Sequence, residues 1–101
     1  MFLDIDFLSG VKKFESSELE EDMLQVDYPN NYILDVGWYK DKFIIYIIRD
    51  YEWEVPVVKY ITNNEDTLNK LLKDAIARIE VESHNQKSYY GSLWKTEIVT
   101  I

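Results

Sequence analysis

Apolar residues crowd into three dense runs between residues 32 and 61, YILDVGWY, FIIYIIRD and VPVVKYI, separated by the polar breaks Lys40-Asp41-Lys42 and Asp50-Tyr51-Glu52-Trp53-Glu54. Runs this short, rich in Ile, Val and Tyr and punctuated by polar residues, are strand material rather than helix. The spacing predicts an antiparallel meander. Side chains alternate across a strand, so Leu34, Val36 and Trp38 share one face of the first run and Ile33, Asp35, Gly37 and Tyr39 the other. Only one of those faces is cleanly apolar. In the second run Phe43, Ile45 and Ile47 oppose Ile44, Tyr46 and Ile48. Both faces are apolar there, which predicts a central strand covered on two sides.

A different period takes over after residue 64. Leu68, Leu71, Leu72, Ala75, Ile76 and Ile79 recur at three- and four-residue steps, opposite Asn69, Lys70, Lys73, Asp74 and Arg78. This predicts an amphipathic helix over 65–82, with Thr62, Asn63 and Asn64 offering caps just ahead of it. The end of the chain, from Leu93 to Ile101, is rich in β-formers and predicts a last strand at a sheet edge.

The first thirty residues are less regular. Leu3, Phe7, Val11 and Phe14 fit helical spacing, while Ile5 and Phe7 between Asp4 and Asp6 fit alternation, so an opening strand or a short helix is expected, turning at Ser9-Gly10. Ser16-Ser17-Glu18-Leu19-Glu20-Glu21-Asp22-Met23-Leu24 combines a serine cap, early acids and Leu19 one turn from Met23, which predicts a short surface helix. Tyr28-Pro29-Asn30-Asn31 breaks the chain before the meander. The whole is expected to be one α+β domain over residues 1–101. Its antiparallel β-sheet, the central meander 32–61 plus the C-terminal strand, packs against one main α-helix at 65–82.

Composition narrows what such a domain does. With 47% hydrophobic and 15% aromatic residues the chain is a folding sequence despite its net charge of −8. It has no cysteine, which excludes disulfides and thiolate metal sites and suits a reducing cytoplasm. No apolar run approaches the ~20 residues of a membrane span, and MFLDIDFL lacks the basic start of a signal peptide. Nineteen acidic against eleven basic side chains argue against direct nucleic-acid binding, because phosphate contacts need clustered Lys and Arg. A basic protein partner fits that charge better; acidity that merely keeps the domain soluble is the competing reading.

Catalysis lacks an inventory. His84 is the one histidine, and no serine stands in a nucleophile-elbow or phosphate-loop context. His84 is expected to be an exposed residue near the helix C-terminus. No metal-ligand spacing is present and no cofactor is expected. Glu18, Glu20, Glu21 and Asp22 form an acidic run that reads as a solvated helix face or as a cation site, and is a further candidate docking surface. In Asp50, Tyr51, Glu52, Trp53 and Glu54 acids alternate with aromatics, and an extended backbone would set the acids on one side and the rings on the other. Acids that steer encounter beside exposed aromatic anchors suit the capture of a basic protein. The competing reading buries Trp53 in the core. Tyr89, Tyr90 and Trp94, around Gly91-Ser92, are either a third binding cluster or a core edge.

Leu34-Asp35-Val36-Gly37-Trp38-Tyr39, the run Phe43 to Ile48, then Asp50, Trp53 and Pro56, and the amphipathic helix to Ile79 resemble small bacterial immunity proteins of contact-dependent growth inhibition and related polymorphic toxin systems. The resemblance covers the middle half of the chain. It implies a cytoplasmic, non-enzymatic protein that binds one cognate toxin domain, often a nuclease, and blocks its active site or substrate groove. An acidic nucleic-acid mimic, or another regulatory protein-binding module without a dedicated toxin, is the alternative.

Overall fold

A computed structural model of the chain describes residues 2, 4–84 and 96–101. Its strands are β1 (Val11–Glu15), β2 (Leu24–Tyr28), β3 (Tyr32–Tyr39), β4 (Lys42–Arg49), β5 (Val58–Thr62) and β6 (Glu97–Thr100), with one α-helix, α1 (Glu65–Ser83), before the last strand. They form one six-stranded sheet in the order β1-β2-β3-β4-β5-β6. The fold is α+β as the hydrophobic pattern predicts, with β4 inside the sheet and one long helix packed on it.

The first five strands pair antiparallel, each joined to the next by a turn or loop too short for a crossover. The β3–β4 turn is two residues, Lys40 and Asp41, with φ of 48° and 69°. Two central residues in the left-handed region give the turn twist that matches the flanking strands. Strand β6 departs from expectation by running parallel to β5, with Val58 opposite Glu97 and Ile61 opposite Thr100. The interposed helix is the reason, since it returns the chain to the end from which β5 started.

Helix α1 begins where Asn64 Oδ1 accepts from Thr67 N at 3.0 Å, and Glu65 and Asp66 occupy its first turn. Leu68, Leu71, Leu72, Ala75, Ile76 and Ile79 are buried along one stripe. They pack on Val26, Leu34, Val36, Ile45, Ile47 and Val58, which the alternation of β2 to β5 sends to the same side. Each Leu, Ile or Val side chain of this set contributes roughly 1.5–3 kcal/mol relative to exposure. Arg78 ties the helix to β6 through Glu97, at 3.0 Å, and Glu80 ties it to the N-terminal turn by accepting from Ser9 N at 2.6 Å. Among the described residues no helix is long and apolar enough to cross a membrane.

Two expectations near the N-terminus are corrected. Residues 4–9 form turns, with neither strand nor helix, and β1 starts after Gly10. Leu8 N donates to the Asp6 carboxylate at 2.9 Å and Gly10 N to Phe7 O at 3.0 Å, so local polar groups close a turn. A Cβ at Gly10 would lie 2.6 Å from Tyr28 Cζ and Val26 Cγ1, so only glycine lets the chain pass there.

Residues 16–23 are a loop, not the expected surface helix. The main chain finds partners outside itself: Ser16 N donates to Met23 O (2.7 Å), Met23 N to Val36 O (2.9 Å), and Trp38 N to Glu20 O (2.8 Å). Ser16 Oγ accepts from Glu18 N at 3.2 Å, a tight local turn in place of a helix cap. A short, acid-crowded helix has too little intrinsic stability to resist. Met23 is then buried, and the following residues form β2.

Candidate functional site

Alternation that sends the apolar set to α1 sends a polar and aromatic set to the opposite face. Gln25 pairs with Asp35, Asp35 with Tyr46, and Tyr46 with Lys59, so these four form one row across β2, β3, β4 and β5. Beside them Ile33 and Ile48 pair and are buried, while Ile44 is half-buried. The two-sided cover expected for β4 is thus dense on the helix side and only partial here.

Two loops complete the face. The acidic loop crosses β3 at Gly37, where a Cβ would collide with the Glu21 carbonyl oxygen and the Tyr39 ring. Glycine at that position allows the loop backbone to settle onto the sheet and carry Asp22 to the row. The turn after β4 brings Trp53 from the other side. Asp22, Gln25, Asp35, Tyr39, Tyr46 and Trp53 then line a hollow of about 380 Å³.

Asp35 is the electrostatic centre of this hollow. It is only 8% exposed, and among the described residues its carboxyl has neither a hydrogen bond nor an ion pair. Burial first, and the nearby Asp22 charge second, push its pKa up to about 6. Tyr39 is pushed up to about 12, mainly by burial and then by Asp35. Tyr46 is raised for the same two reasons. Lys59 Nζ lies over the Tyr46 ring, 5.8 Å from its centroid. The arrangement joins carboxylate acceptors to ring faces that attract cations, in a hollow that opens to solvent.

The sequence-predicted clusters are only partly united. Asp22 and Trp53, from separate clusters, meet at the hollow. Trp53 is 46% exposed, so it is not a core residue. Asp50, Tyr51, Glu52 and Glu54 are exposed, but the extended arrangement expected for them does not form. Asp50 and Tyr51 take φ of 54° and 61°, and Glu52 N donates to Arg49 O at 3.1 Å, which makes the segment a compact turn. Glu18, Glu20 and Glu21 lie exposed on the acidic loop, where a hydrogen bond and charge from Glu18 raise the pKa of Glu20. Tyr89, Tyr90 and Trp94 lie outside the described residues. His84 caps α1, exposed, with Nδ1 2.7 Å from Glu80 O.

Gln25, Asp35, Tyr39 and Tyr46 are the lining residues that sequence reasoning did not single out. The available signal was Asp35 itself, a carboxylate inside an otherwise apolar strand run. Among the described residues, no group of three or more His, Cys, Asp or Glu side chains is placed to hold a metal ion. No protein-family model, curated protein or solved structure matches this chain.

Proposed function

We propose that this chain is a non-enzymatic binding module of the immunity class, which occupies a basic toxin domain in the cytoplasm and blocks its active site or substrate groove. The observation that carries the reading is the hollow on the sheet face opposite α1, where Asp35, 8% exposed and without a hydrogen-bond or ion-pair partner among the described residues, lies beside Tyr39, Tyr46 and Trp53. Large rings and desolvated charges are the groups on which protein interfaces concentrate binding energy. The net charge of −8 adds steering toward a basic surface, such as the groove of a nuclease. The exposed acids Glu18, Glu20, Glu21, Asp50, Glu52 and Glu54 lie on the two loops that deliver Asp22 and Trp53 to the hollow, so encounter and anchoring share one face.

Co-expression with the product of the gene directly upstream tests the reading. A stable complex with one basic domain, which inhibits that domain's activity and weakens with added salt, is the expected result. Failure to bind that product would overturn it. Capture of several unrelated nucleic-acid-binding domains with similar affinity would favour the nucleic-acid-mimic alternative.

A further inference from the structure

We infer that the hollow lined by Asp22, Asp35, Tyr39, Tyr46 and Trp53 is a receptor for a single arginine side chain of the partner, its guanidinium held by Asp35 against the aromatic rings. This rests on the binding-module reading above and gives its anchor a chemistry. The need for a cation follows from Asp35, which is 8% exposed and has no hydrogen-bond or ion-pair partner among the described residues. Asp35 is not among the side chains whose polar atoms are sealed from solvent without a partner, so its carboxyl opens onto the hollow it lines, where an incoming donor group can reach it.

The shape of the site selects among cations. A metal ion would need more ligands than the two carboxylates present, and no three-ligand group exists among the described residues. A volume of about 380 Å³ admits the end of a long side chain. Three aromatic rings line it, and a planar, weakly hydrated guanidinium both stacks on rings and pairs bidentately with a carboxylate, whereas an ammonium holds its water and offers one point of charge. The protein's own Lys59 shows that the Tyr46 ring accepts a cation, at 5.8 Å, yet Lys59 makes no salt bridge within 4.0 Å among the described residues. It therefore leaves Asp35 free for a donor arriving from outside.

The test uses the full chain and a small probe, N-acetyl-arginine methylamide, with the lysine analogue as control. Titration is followed by NMR at the Asp35 carboxyl carbon and the Trp53 indole N–H. Saturable shifts at both positions are expected for the arginine probe, with weaker binding of the lysine probe. Asp35→Asn keeps the shape and removes the charge, and it should weaken the arginine probe by about tenfold or more, the scale of a charge-assisted hydrogen bond, while remaining folded by the same spectra. Absence of a saturable shift, or equal binding by Asp35→Asn, would overturn the inference. The two proposals fail separately. If Asp35→Asn captures the upstream gene product undiminished, the arginine receptor falls and the binding-module reading stands. If the probe binds as expected and no basic partner is captured, the receptor stands and the toxin reading falls.

Discussion

Replacing Asp35 by asparagine removes a charge that the folded state disfavours and keeps the side-chain shape, so its effect on stability can be worked out in advance. Folding raises the Asp35 pKa from 3.8 to about 6, hence the folded protein holds this proton more tightly than the unfolded chain does. Below pH 3.8 the group is protonated in both states and contributes no penalty. As the pH climbs from 3.8 to about 6 the unfolded chain ionises first, and stability falls; above that window the penalty is constant. A displacement of about two pH units corresponds to at most about 3 kcal/mol, and screening by water at the mouth of the hollow reduces it to about 1–2 kcal/mol. Asp35→Asn should therefore be more stable than the parent at pH 7 by about 1–2 kcal/mol, a rise in Tm of about 5–10 °C for a domain of this size. The assay is thermal unfolding of both proteins from pH 3 to pH 8, read as the difference between them. The difference cancels other titrations, such as that of Glu80, whose pKa is lowered chiefly by its hydrogen bond from Ser9 and which acts in the opposite sense. A difference that does not change between pH 4 and pH 7, or an asparagine variant less stable than the parent at pH 7, would refute the picture of a carboxylate whose charge the folded state disfavours.

Three further outcomes follow from the packing. Leu72 is fully buried in the α1 stripe, so Leu72→Asp should unfold the domain, measured as loss of the cooperative thermal transition, because it removes an apolar contact and buries an unpaired charge in a protein of ordinary stability. Gly37→Ala would force the Glu21 carbonyl and the Tyr39 ring apart, so it should cost about 1–3 kcal/mol by denaturant titration and shift the resonances of the acidic loop. Reversing the exposed Asp50, Glu52 and Glu54 to lysine should leave the melting temperature nearly unchanged, slow association with the basic partner and flatten its dependence on salt, since charges at the rim act through the encounter rate over a screening length of about 10 Å at 0.1 M salt.

Strands β3, β4 and β5 and the helix were legible because consecutive residues carried the whole signal, dense β-forming runs in one case and a 3.6-residue stripe in the other. Strand β2 also carried one, since Leu24, Val26 and Tyr28 alternate with Gln25 and Asp27. Its first residue fell into the acidic segment, whose serine and carboxylates suggest a helix start. What decided that segment lies outside it: Glu20 and Met23 hydrogen-bond to the β3 backbone, a competitor that local propensity does not see. The direction of β6 was hidden for a similar reason, because parallel pairing follows from how the helix returns the chain.

The site was legible only in pieces. Asp22 and Trp53 belonged to clusters read as separate surfaces, and they meet only because the acidic loop crosses β3 at Gly37 while the turn after β4 folds back. Asp35 looked like an interruption of an apolar face. The register, which sets Gln25, Asp35, Tyr46 and Lys59 in one row, turns that interruption into the floor of a hollow.

The central claim is that this sheet face, anchored by the aromatic hollow, grips a basic protein. Trp53 stands 46% exposed at its edge, so truncation to alanine separates binding from folding. Affinity of the parent and Trp53→Ala for the purified upstream gene product, measured beside their melting temperatures, tests this directly. A loss of roughly 2 kcal/mol or more in binding at an unchanged melting temperature is expected, the signature of an interface hot spot. Full affinity in the variant would contradict the claim.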